Sequence, residues 1–536
     1  MKCTFSLVAL LCFLSVASVQ AQHSPETFRN PILSGYHPDP SIVRVGEDYY
    51  MLNSTFEWFP GMPIHHSRDL VNWELIGYGL HRPEQLELQE GLGDYMGIFA
   101  VTIRHHDGLF YLITTCVTCE KDGNFYITAE NPAGPWSDPV WLDSPGIDPS
   151  LMWDDDGKVY YVGHGNLKDE QEWPHQQGVW LQELDTAQGK LVGERKQLTH
   201  GHANNAVWTE GPHLYKIGGK YMLMVAEGGT GFNHAVTVHH SDDVWGPYIA
   251  DQVNPVLTHR HLGEHYPVHS IGHADLVQTQ NGDWWSVMLG KRYVDGYSLL
   301  ARETFLTPVR FEGQRPVFNP GVGKVLIEQE RPDLPWSPFE PRPVRDDFDG
   351  EVLDLEWNML RTPHSRWYAL EDGRLSLDLR PETLDELVNP SLLARRIEHH
   401  EFSASLKLDF DTDYENEKAG MILYRRSTCH YQFLKDSDDL VIVKTEKGEK
   451  TEVARVEYGA EIVILKAQAN GLDLQFSYGE SEGDMRKIGD VQTMAVISFE
   501  VAEGFNGPYV GMYATGSGEA SSARAVFDWF DYSGTK

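Results

Sequence analysis

Three carboxylates, Asp39, Asp148 and Glu210, occupy equivalent places in three degenerate copies of one sequence pattern. Each stands before a short apolar stretch that runs into a turn and then an aromatic stretch. Hydrolysis of a glycosidic bond needs one carboxylic acid to protonate the leaving oxygen and one carboxylate to act as base or nucleophile. A third carboxylate nearby can raise the pKa of the acid by charge repulsion. One such residue alone is more typical of a turn, but three in register favour this chemistry.

Two further copies of the pattern lack the acid, namely those that begin at Gly97 and at Gly272. The five copies recur roughly every 50 to 65 residues, and such a period predicts a closed ring of five β-blades. Equivalent positions of different blades converge on the axis of a propeller. The sequence therefore predicts an all-β fold with a five-bladed catalytic propeller over residues 22–330 and one central acidic pocket.

A second domain is predicted after a proline-rich connector at residues 331–343, which we expect to be stiff. From residue 344 to 536 the strands alternate apolar and polar residues, as in Phe402-Ser-Ala-Ser-Leu-Lys-Leu. This alternation is typical of half-exposed antiparallel sheets, two of which make a β-sandwich. A chain of 536 residues is also too long for one ordinary core.

Charge and the first residues of the chain indicate where the protein acts. The formal net charge of -35 argues against binding to nucleic acid or to anionic membrane surfaces and suits a neutral substrate. Lys2, an apolar run from Phe5 to Val16, and Val19-Gln-Ala21 predict a cleavable signal peptide over residues 1–21. We therefore expect a periplasmic or secreted protein.

Cysteine and histidine spacing suggests neither a disulfide framework nor a metal cluster. Cys116 and Cys119 are expected to be free thiols, because residues three apart on a strand face opposite sides. A histidine-rich segment has the four-residue spacing of a metal-binding helix. Glycine and proline interrupt it, so a loop into the fifth blade is predicted instead. Its histidines are His259, His261, His265, His269 and His273.

Several of these segments resemble glycoside hydrolase family 43. They include Asn30-Pro-Ile-Leu-Ser-Gly-Tyr-His-Pro-Asp-Pro-Ser, Gly146-Ile-Asp-Pro-Ser-Leu, Thr209-Glu-Gly-Pro-His-Leu-Tyr-Lys and Arg302-Glu-Thr-Phe. The tail from Asp347-Phe-Asp-Gly resembles the concanavalin-like sandwich of the β-xylosidases in that family. The resemblance implies an inverting exo-glycosidase without a required cofactor. Its expected substrates are xylo- or arabino-oligosaccharides from plant hemicellulose, from which it releases β-D-xylose or α-L-arabinofuranose.

The resemblance also implies roles for the three acids. Asp39 matches the general base that activates water, and Glu210 matches the general acid. Asp148 matches the third carboxylate, which raises the pKa of the general acid and orients it.

Further residues match positions around the acids. Arg302 matches an arginine that reaches the substrate and the acidic cluster, and Phe56 matches an aromatic wall of the sugar pocket. His273 matches an axial histidine that faces an ion or water in some members, so a structural calcium near it is possible. The second blade departs from the usual Trp-Ala-Pro and reads Phe99-Ala-Val. In the family the sandwich can lend a loop to the active-site rim, and the segment from Phe505 is the candidate.

Two alternative functions stay open at this point. A propeller that only binds carbohydrate would not need a protonated carboxylic acid. A retaining fructosidase on a similar fold would carry an Asn-Asp-Pro-Asn type of motif, where this chain has His37-Pro-Asp-Pro. Oligomeric state and the choice between xylose and arabinose are not predicted.

Overall fold

The structure is a computed structural model that describes residues 25–168, 170–263 and 265–535. The predicted signal peptide, residues 1–21, lies outside the described residues. Strands dominate the described chain, and a short helical stretch comprises a 3-10 turn at Met494–Ile497 and an α-helix at Phe499–Ala502. Within these ranges, no helix is long and apolar enough to cross a membrane.

Five antiparallel sheets follow one another along the first part of the chain. Blade 1 consists of Ser41–Val45, Asp48–Leu52, Gly61–Ser67 and Glu74–Leu80. Blade 2 consists of Gly97–His106, Leu109–Val117, Gly123–Ala129 and Val140–Leu142. Blade 3 consists of Ser150–Trp153, Val159–His164, Val179–Asp185 and Lys190–Thr199. Blade 4 consists of Glu210–Ile217, Lys220–Glu227, Ala235–Ser241, Ile249–Ala250 and Leu257–Thr258. Blade 5 consists of Val268–Gln278, Trp284–Arg292, Glu303–Glu312 and Arg315–Phe318.

The five sheets form a closed ring. The first strand of each blade contacts the first strand of the next, and that of blade 5 contacts that of blade 1. The ring is therefore the predicted five-bladed propeller, with the first strands around its axis. Inner strands such as Leu109–Val117 are buried along nearly their whole length, because neighbouring blades cover both faces.

A strand pair and a set of side-chain hydrogen bonds close the ring. The strand Thr27–Arg29 pairs with Glu328–Glu330, which joins the two ends of the propeller. Asn30 donates from its side-chain amide to the carbonyls of Leu306 and Leu326 and accepts from the Leu306 N–H. This buried asparagine thus reinforces the backbone hydrogen bonds at the seam, where the Asn30 N–H also donates to the carbonyl of Ile327.

Asp275 holds the inner strands together. Its fully buried carboxylate accepts hydrogen bonds from Ser41 Oγ of blade 1 at 2.7 Å, Arg104 Nη1 of blade 2 at 3.0 Å and Tyr215 Oη of blade 4 at 2.5 Å. Burial favours the neutral acid, but Arg104 and His213 outweigh it and lower the pKa of Asp275 below its ordinary value. This ionised hub fixes the positions of the strands that carry the pocket residues.

The second domain is a sandwich of two antiparallel sheets. The first sheet contains Arg345–Asp346, Tyr368–Glu371, Arg374–Asp378, Glu401–Asp409, Ile462–Asn470, Asp473–Gly479, Arg486–Thr493 and Arg524–Thr535. The second contains Ser391–Arg396, Lys418–Arg426, Cys429–Asp436, Asp439–Glu446, Glu449–Glu457 and Tyr509–Thr515. Burial alternates along Glu401–Asp409, as the sequence pattern predicts. The inner faces of the two sheets form the core between them.

The sandwich is docked on the propeller. Trp58–Phe59, from the propeller, pairs with Met359–Leu360 from the second domain. Trp58 also stacks on Tyr509, with ring centroids 3.7 Å apart and planes inclined by 14°. Backbone pairing and aromatic stacking at one interface make the two domains a continuous structure around the pocket.

The expectation of free thiols at Cys116 and Cys119 is wrong, because these two residues form a disulfide with Cα atoms 5.7 Å apart. The strand Leu109–Val117 ends one residue after Cys116, and Thr118 adopts a left-handed backbone with φ of 58°. Cys119 is therefore not on the strand, and the turn brings its side chain back. Cys429 is buried and free.

Candidate active site

All six residues that the sequence singles out line one cavity of about 550 Å³. Asp39, Asp148 and Glu210 come from blades 1, 3 and 4, and Arg302 and His273 come from the fifth. The sixth predicted residue is Phe56. The repeat thus brings together side chains that are up to 263 residues apart, as between Asp39 and Arg302.

The backbone is unusual at three of these positions. Asp39, Asp148 and His273 have φ values of 50°, 52° and 50°, in the left-handed region that residues with a Cβ rarely adopt. Such conformations cost of order 1–3 kcal/mol each and collect at functional sites, where the surrounding structure enforces them. Their recurrence around the pocket indicates that the repeat is built to present these side chains.

Three neighbours surround the carboxyl group of Asp39. Arg302 Nη1 donates to Asp39 Oδ1 at 2.6 Å, and Ser54 Oγ donates to Asp39 Oδ2. The Nδ1 atom of His273 lies 3.9 Å from Asp39 Oδ1. Because Asp39 is only 4% exposed, these partners fix its orientation and offset the cost of burying its charge.

Arg302 links this carboxylate to the second domain. Its Nη2 atom donates to the carbonyl oxygen of Phe505 at 2.9 Å. The side chain of Phe505 itself lines the pocket. The prediction that the segment from Phe505 reaches the rim of the site is confirmed, and the arginine explains how the loop is held there.

Asp148 and Glu210 both have raised pKa values. Burial raises the pKa of Asp148 to about 6, while His273 opposes this rise and Asp39 reinforces it. The N–H of Gly211, next to Glu210 in the chain, donates to Asp148 Oδ2 at 3.1 Å. Burial also raises the pKa of Glu210 well above 4.5, and the charges of Asp148 and Asp39 raise it further. Burial and like charge therefore favour the protonated form of Glu210.

Three phenylalanines form one wall of the cavity. The ring centroid of Phe56 lies 4.9 Å from that of Phe99 and 5.9 Å from that of Phe505. Phe99 is the residue at which the second blade departs from the usual tryptophan, and its smaller ring packs on the other two. With phenylalanine at position 99, the three rings together form an apolar wall.

Three further residues that line the cavity were not predicted as part of the site. Trp208 and Phe232 have 40% and 47% of their surfaces exposed, and His234 is buried. Trp208 stands only two residues before Glu210, so its proximity in sequence was an available signal. Phe232 and His234 lie in a loop with no pattern of its own, and sequence alone gave no indication of them.

The histidine-rich segment forms a loop and then a strand, as predicted. His259 precedes the loop and its Nδ1 contacts the carbonyl of Val268, and the strand that begins at Val268 carries His269 and His273. Across residues 25–168, 170–263 and 265–535, no group of three or more His, Cys, Asp or Glu side chains is arranged to hold a metal ion. A calcium ion near His273 would thus need other ligands, and it stays a prediction.

Two carboxyl groups with raised pKa values beside an ion-paired carboxylate can give and accept a proton across an acetal. With the sugar-sized cavity at the centre of a five-bladed ring, they define a glycoside hydrolase. The sequence model of "Glycosyl hydrolases family 43" matches residues 28–315, and that of the "Beta xylosidase C-terminal Concanavalin A-like domain" matches residues 345–533. The chain belongs to glycosyl hydrolase family 43.

Relatives in the same family resemble the chain over its length. The non-reducing end alpha-L-arabinofuranosidase BoGH43B of Bacteroides ovatus is 40% identical over 99% of this chain and 99% of its own. A xylosidase/arabinosidase of Butyrivibrio fibrisolvens is 40% identical over 94% of this chain and 98% of its own. A xylan 1,3-beta-xylosidase of a Vibrio species is 35% identical over 94% and 99%, respectively. These matches do not favour a binding-only propeller or a fructosidase.

Solved structures show the same two-domain architecture. The GH43B protein of the Bacteroides ovatus xyloglucan locus superposes with a TM-score of 0.89 at 39% identity, covering 95% of this chain and 100% of its own. A xylan beta-1,4-xylosidase from Bacillus halodurans superposes with a TM-score of 0.88 at 37% identity, covering 94% and 99%.

Proposed function

We propose that the protein removes single terminal pentoses, β-D-xylose or α-L-arabinofuranose, from hemicellulose fragments with inversion at the anomeric carbon. The observation that carries the proposal is that three carboxyl groups with different surroundings converge in one cavity. Arg302 and Ser54 donate hydrogen bonds to Asp39, whereas burial and the charges of Asp148 and Asp39 raise the pKa of Glu210 well above its ordinary value.

In this mechanism Glu210 protonates the glycosidic oxygen as the bond to the leaving group breaks. Asp39 accepts a proton from a water molecule that attacks the anomeric carbon from the opposite side. Asp148 stays close enough to raise the pKa of Glu210 and is itself tied to the backbone N–H of Gly211 at 3.1 Å. Each turnover leaves Glu210 ionised and Asp39 protonated, and exchange with water restores both.

The proposal of exo action rests on the wall that the second domain supplies. Phe505 packs against Phe56 and Phe99, so that aromatic rings from both domains bound one side of the cavity. A polysaccharide chain passing through the site would need that side to be open. A cavity of about 550 Å³ with such a wall suits a single terminal sugar and the beginning of its leaving group.

The choice of pentose rests on the relatives. Two of them carry names that include arabinofuranosidase or arabinosidase, and two carry names that include xylosidase. The aromatic wall and the two carboxylates are compatible with either sugar. We therefore propose that the protein accepts both, with the balance set by the depth of the wall at Phe99.

A panel of 4-nitrophenyl pentosides tests this function. We expect turnover of both the β-D-xyloside and the α-L-arabinofuranoside, and none of hexosides. NMR of the first product, before mutarotation, is expected to show the inverted anomer. A product of retained configuration would refute the proposed mechanism.

A variant at Glu210 tests the acid. Glu210→Ala is expected to lose far more activity on oligosaccharides, whose leaving groups need a proton, than on nitrophenyl glycosides, whose leaving groups do not. The exposed Glu194→Ala is the matched control and should behave as wild type. Equal loss on both substrate types would show that Glu210 is not the general acid.

We further propose that the protein is exported through its first 21 residues and acts in the periplasm or outside the cell. The support is the sequence of that segment alone. N-terminal sequencing of protein recovered from the periplasm or the medium tests the proposal. A mature chain that begins at Gln22 is expected, and an uncleaved, cytoplasmic chain would contradict it.

A further inference from the structure

Three buried donors without a hydrogen-bond partner among the described residues lie near Phe499, where the sandwich packs on blade 5. Lys291 is 1% exposed, and its ammonium makes no hydrogen bond to a described residue and lies 3.5 Å from the centroid of the Phe499 ring. Arg425 of the sandwich is fully buried, and its Nε and Nη2 atoms have no partner within the same part of the chain. The hydroxyl of Ser498, next to Phe499, is buried and likewise has no partner there.

These groups share one neighbourhood. The guanidinium carbon of Arg425 lies 6.0 Å from the same Phe499 ring, so the two cationic groups are at most about 9.5 Å apart. The remaining Arg425 nitrogen, Nη1, makes a long hydrogen bond of 3.4 Å to the carbonyl of Ile497. The donors therefore surround residues 497–499, the short helical stretch that leads to Phe505.

Acceptors are scarce at this point. The nearest carboxylate, that of Glu500, accepts from the N–H and hydroxyl of Ser298 at 2.8 and 3.0 Å. No carboxylate of the described chain lies within 4.0 Å of the Lys291 or Arg425 nitrogens. The side-chain oxygen of Asn506 is unpartnered and could accept from Arg425, whose carbonyl its amide contacts at 2.8 Å. One amide oxygen still leaves the ammonium without an acceptor.

Buried positive charges such as these need a counter-ion. Burying an ammonium or guanidinium without a partner costs several kcal/mol, so such groups in proteins are paired with an opposite charge or lose their proton. Burial, together with the charges of Arg302 and Arg425, lowers the pKa of Lys291 to about 7, and Glu500 opposes this shift. A site built of donors and positive charge is complementary to a small anion.

We propose that a monovalent anion of halide size binds between the two domains, held by Lys291 Nζ, Arg425 and Ser498 Oγ. The anion satisfies donors on blade 5 and on the sandwich at once. It thereby fixes the segment that carries Phe505 to the pocket wall. The site is separate from the sugar cavity, and the inference does not depend on which pentose is hydrolysed.

Bromide locates the site directly. Crystals of the full chain grown without halide and then soaked in sodium bromide are expected to give an anomalous peak between Lys291 and Arg425. Ordered water at that place, with no anomalous signal, would overturn the proposal. This measurement uses the wild-type protein, so it does not depend on the folding of any variant.

Stability in solution gives a second readout that is independent of activity. Sodium chloride is expected to raise the Tm by about 2 °C relative to sodium gluconate at equal ionic strength, because gluconate is too large for the site. Lys291→Met should abolish that difference. The exposed Lys190→Met makes the same change in net charge and should preserve it. An equal chloride effect in both variants would show general screening instead of a site.

Discussion

Asp148→Asn is expected to stabilise the protein while it impairs catalysis. The pKa of Asp148 rises from 3.8 in a free chain to about 6 in the folded pocket, chiefly because the side chain is buried. This rise means that ionisation of Asp148 costs the folded state about 3 kcal/mol at neutral pH. Asparagine has a similar shape, can still accept from the Gly211 N–H and never ionises.

The stability gained by Asp148→Asn depends on pH, because the pKa of Asp148 is higher in the folded than in the unfolded chain. Below about pH 4, Asp148 is protonated in both the folded and the unfolded chain, so the variant has no advantage. Between about pH 4 and 6 only the unfolded chain ionises, and the advantage grows. Above about pH 6 it is constant, at about 3 kcal/mol or roughly 5 °C in the Tm of the propeller.

Calorimetric unfolding of wild type and variant at a series of pH values between 4 and 8 measures this difference. The exposed Asp283→Asn is the matched control, with the same change in charge and no expected pH-dependent gain. In the same variant the alkaline limb of activity should move to lower pH, because Glu210 loses the repulsion that helps it hold its proton. A variant that is less stable at pH 7, or whose gain is the same at pH 4, would refute the reasoning.

Three other outcomes follow from the structure. Phe505→Ala should raise KM about tenfold or more with little change in Tm, whereas the control Phe505→Tyr should keep KM near wild type. An unchanged KM in the alanine variant would show that the ring does not contact the sugar. Deletion from Pro343 onward should give an insoluble or inactive propeller, since it exposes Trp58 and removes the wall, and a soluble truncated enzyme with normal kinetics would contradict the docking argument. Alkylation of unfolded, unreduced protein should label Cys429 and spare Cys116 and Cys119, so that labelling of all three would disprove the disulfide.

The parts of the fold that depend on repetition could be predicted from the sequence. Five copies of one pattern were enough to predict a ring, and their alignment placed Asp39, Asp148 and Glu210 in one pocket. The alternation around Phe402 was enough to predict a half-exposed sheet, because the side-chain period of a strand is fixed. The family resemblance also predicted that the segment from Phe505 reaches the rim of the active site.

The features of the fold and site that were not predicted depend on contacts between distant segments, which no local sequence pattern indicates. Asp275 sits in a copy of the repeat without the expected acid, yet it joins three other blades, which only the closed ring reveals. The Cys116 disulfide was missed because strand geometry was extended two residues past the true end of the strand. Phe232 and Lys291 acquire their surroundings from loops and from a second domain, and their own sequence neighbours give no hint of either.

One part of the pocket wall is synthesised much later than the carboxyl groups that it borders. Glu210 and its partner acids belong to the first half of the 536 residues, whereas Phe505 lies only 31 residues before residue 536. The strand Arg524–Thr535, which runs through the middle of a sandwich sheet, comes later still. Synthesis must therefore pass Phe505 and the strand Arg524–Thr535 before all parts of the site and of the sheet behind it are present. A fragment that ends before Phe505 would carry every acid and lack this part of the wall.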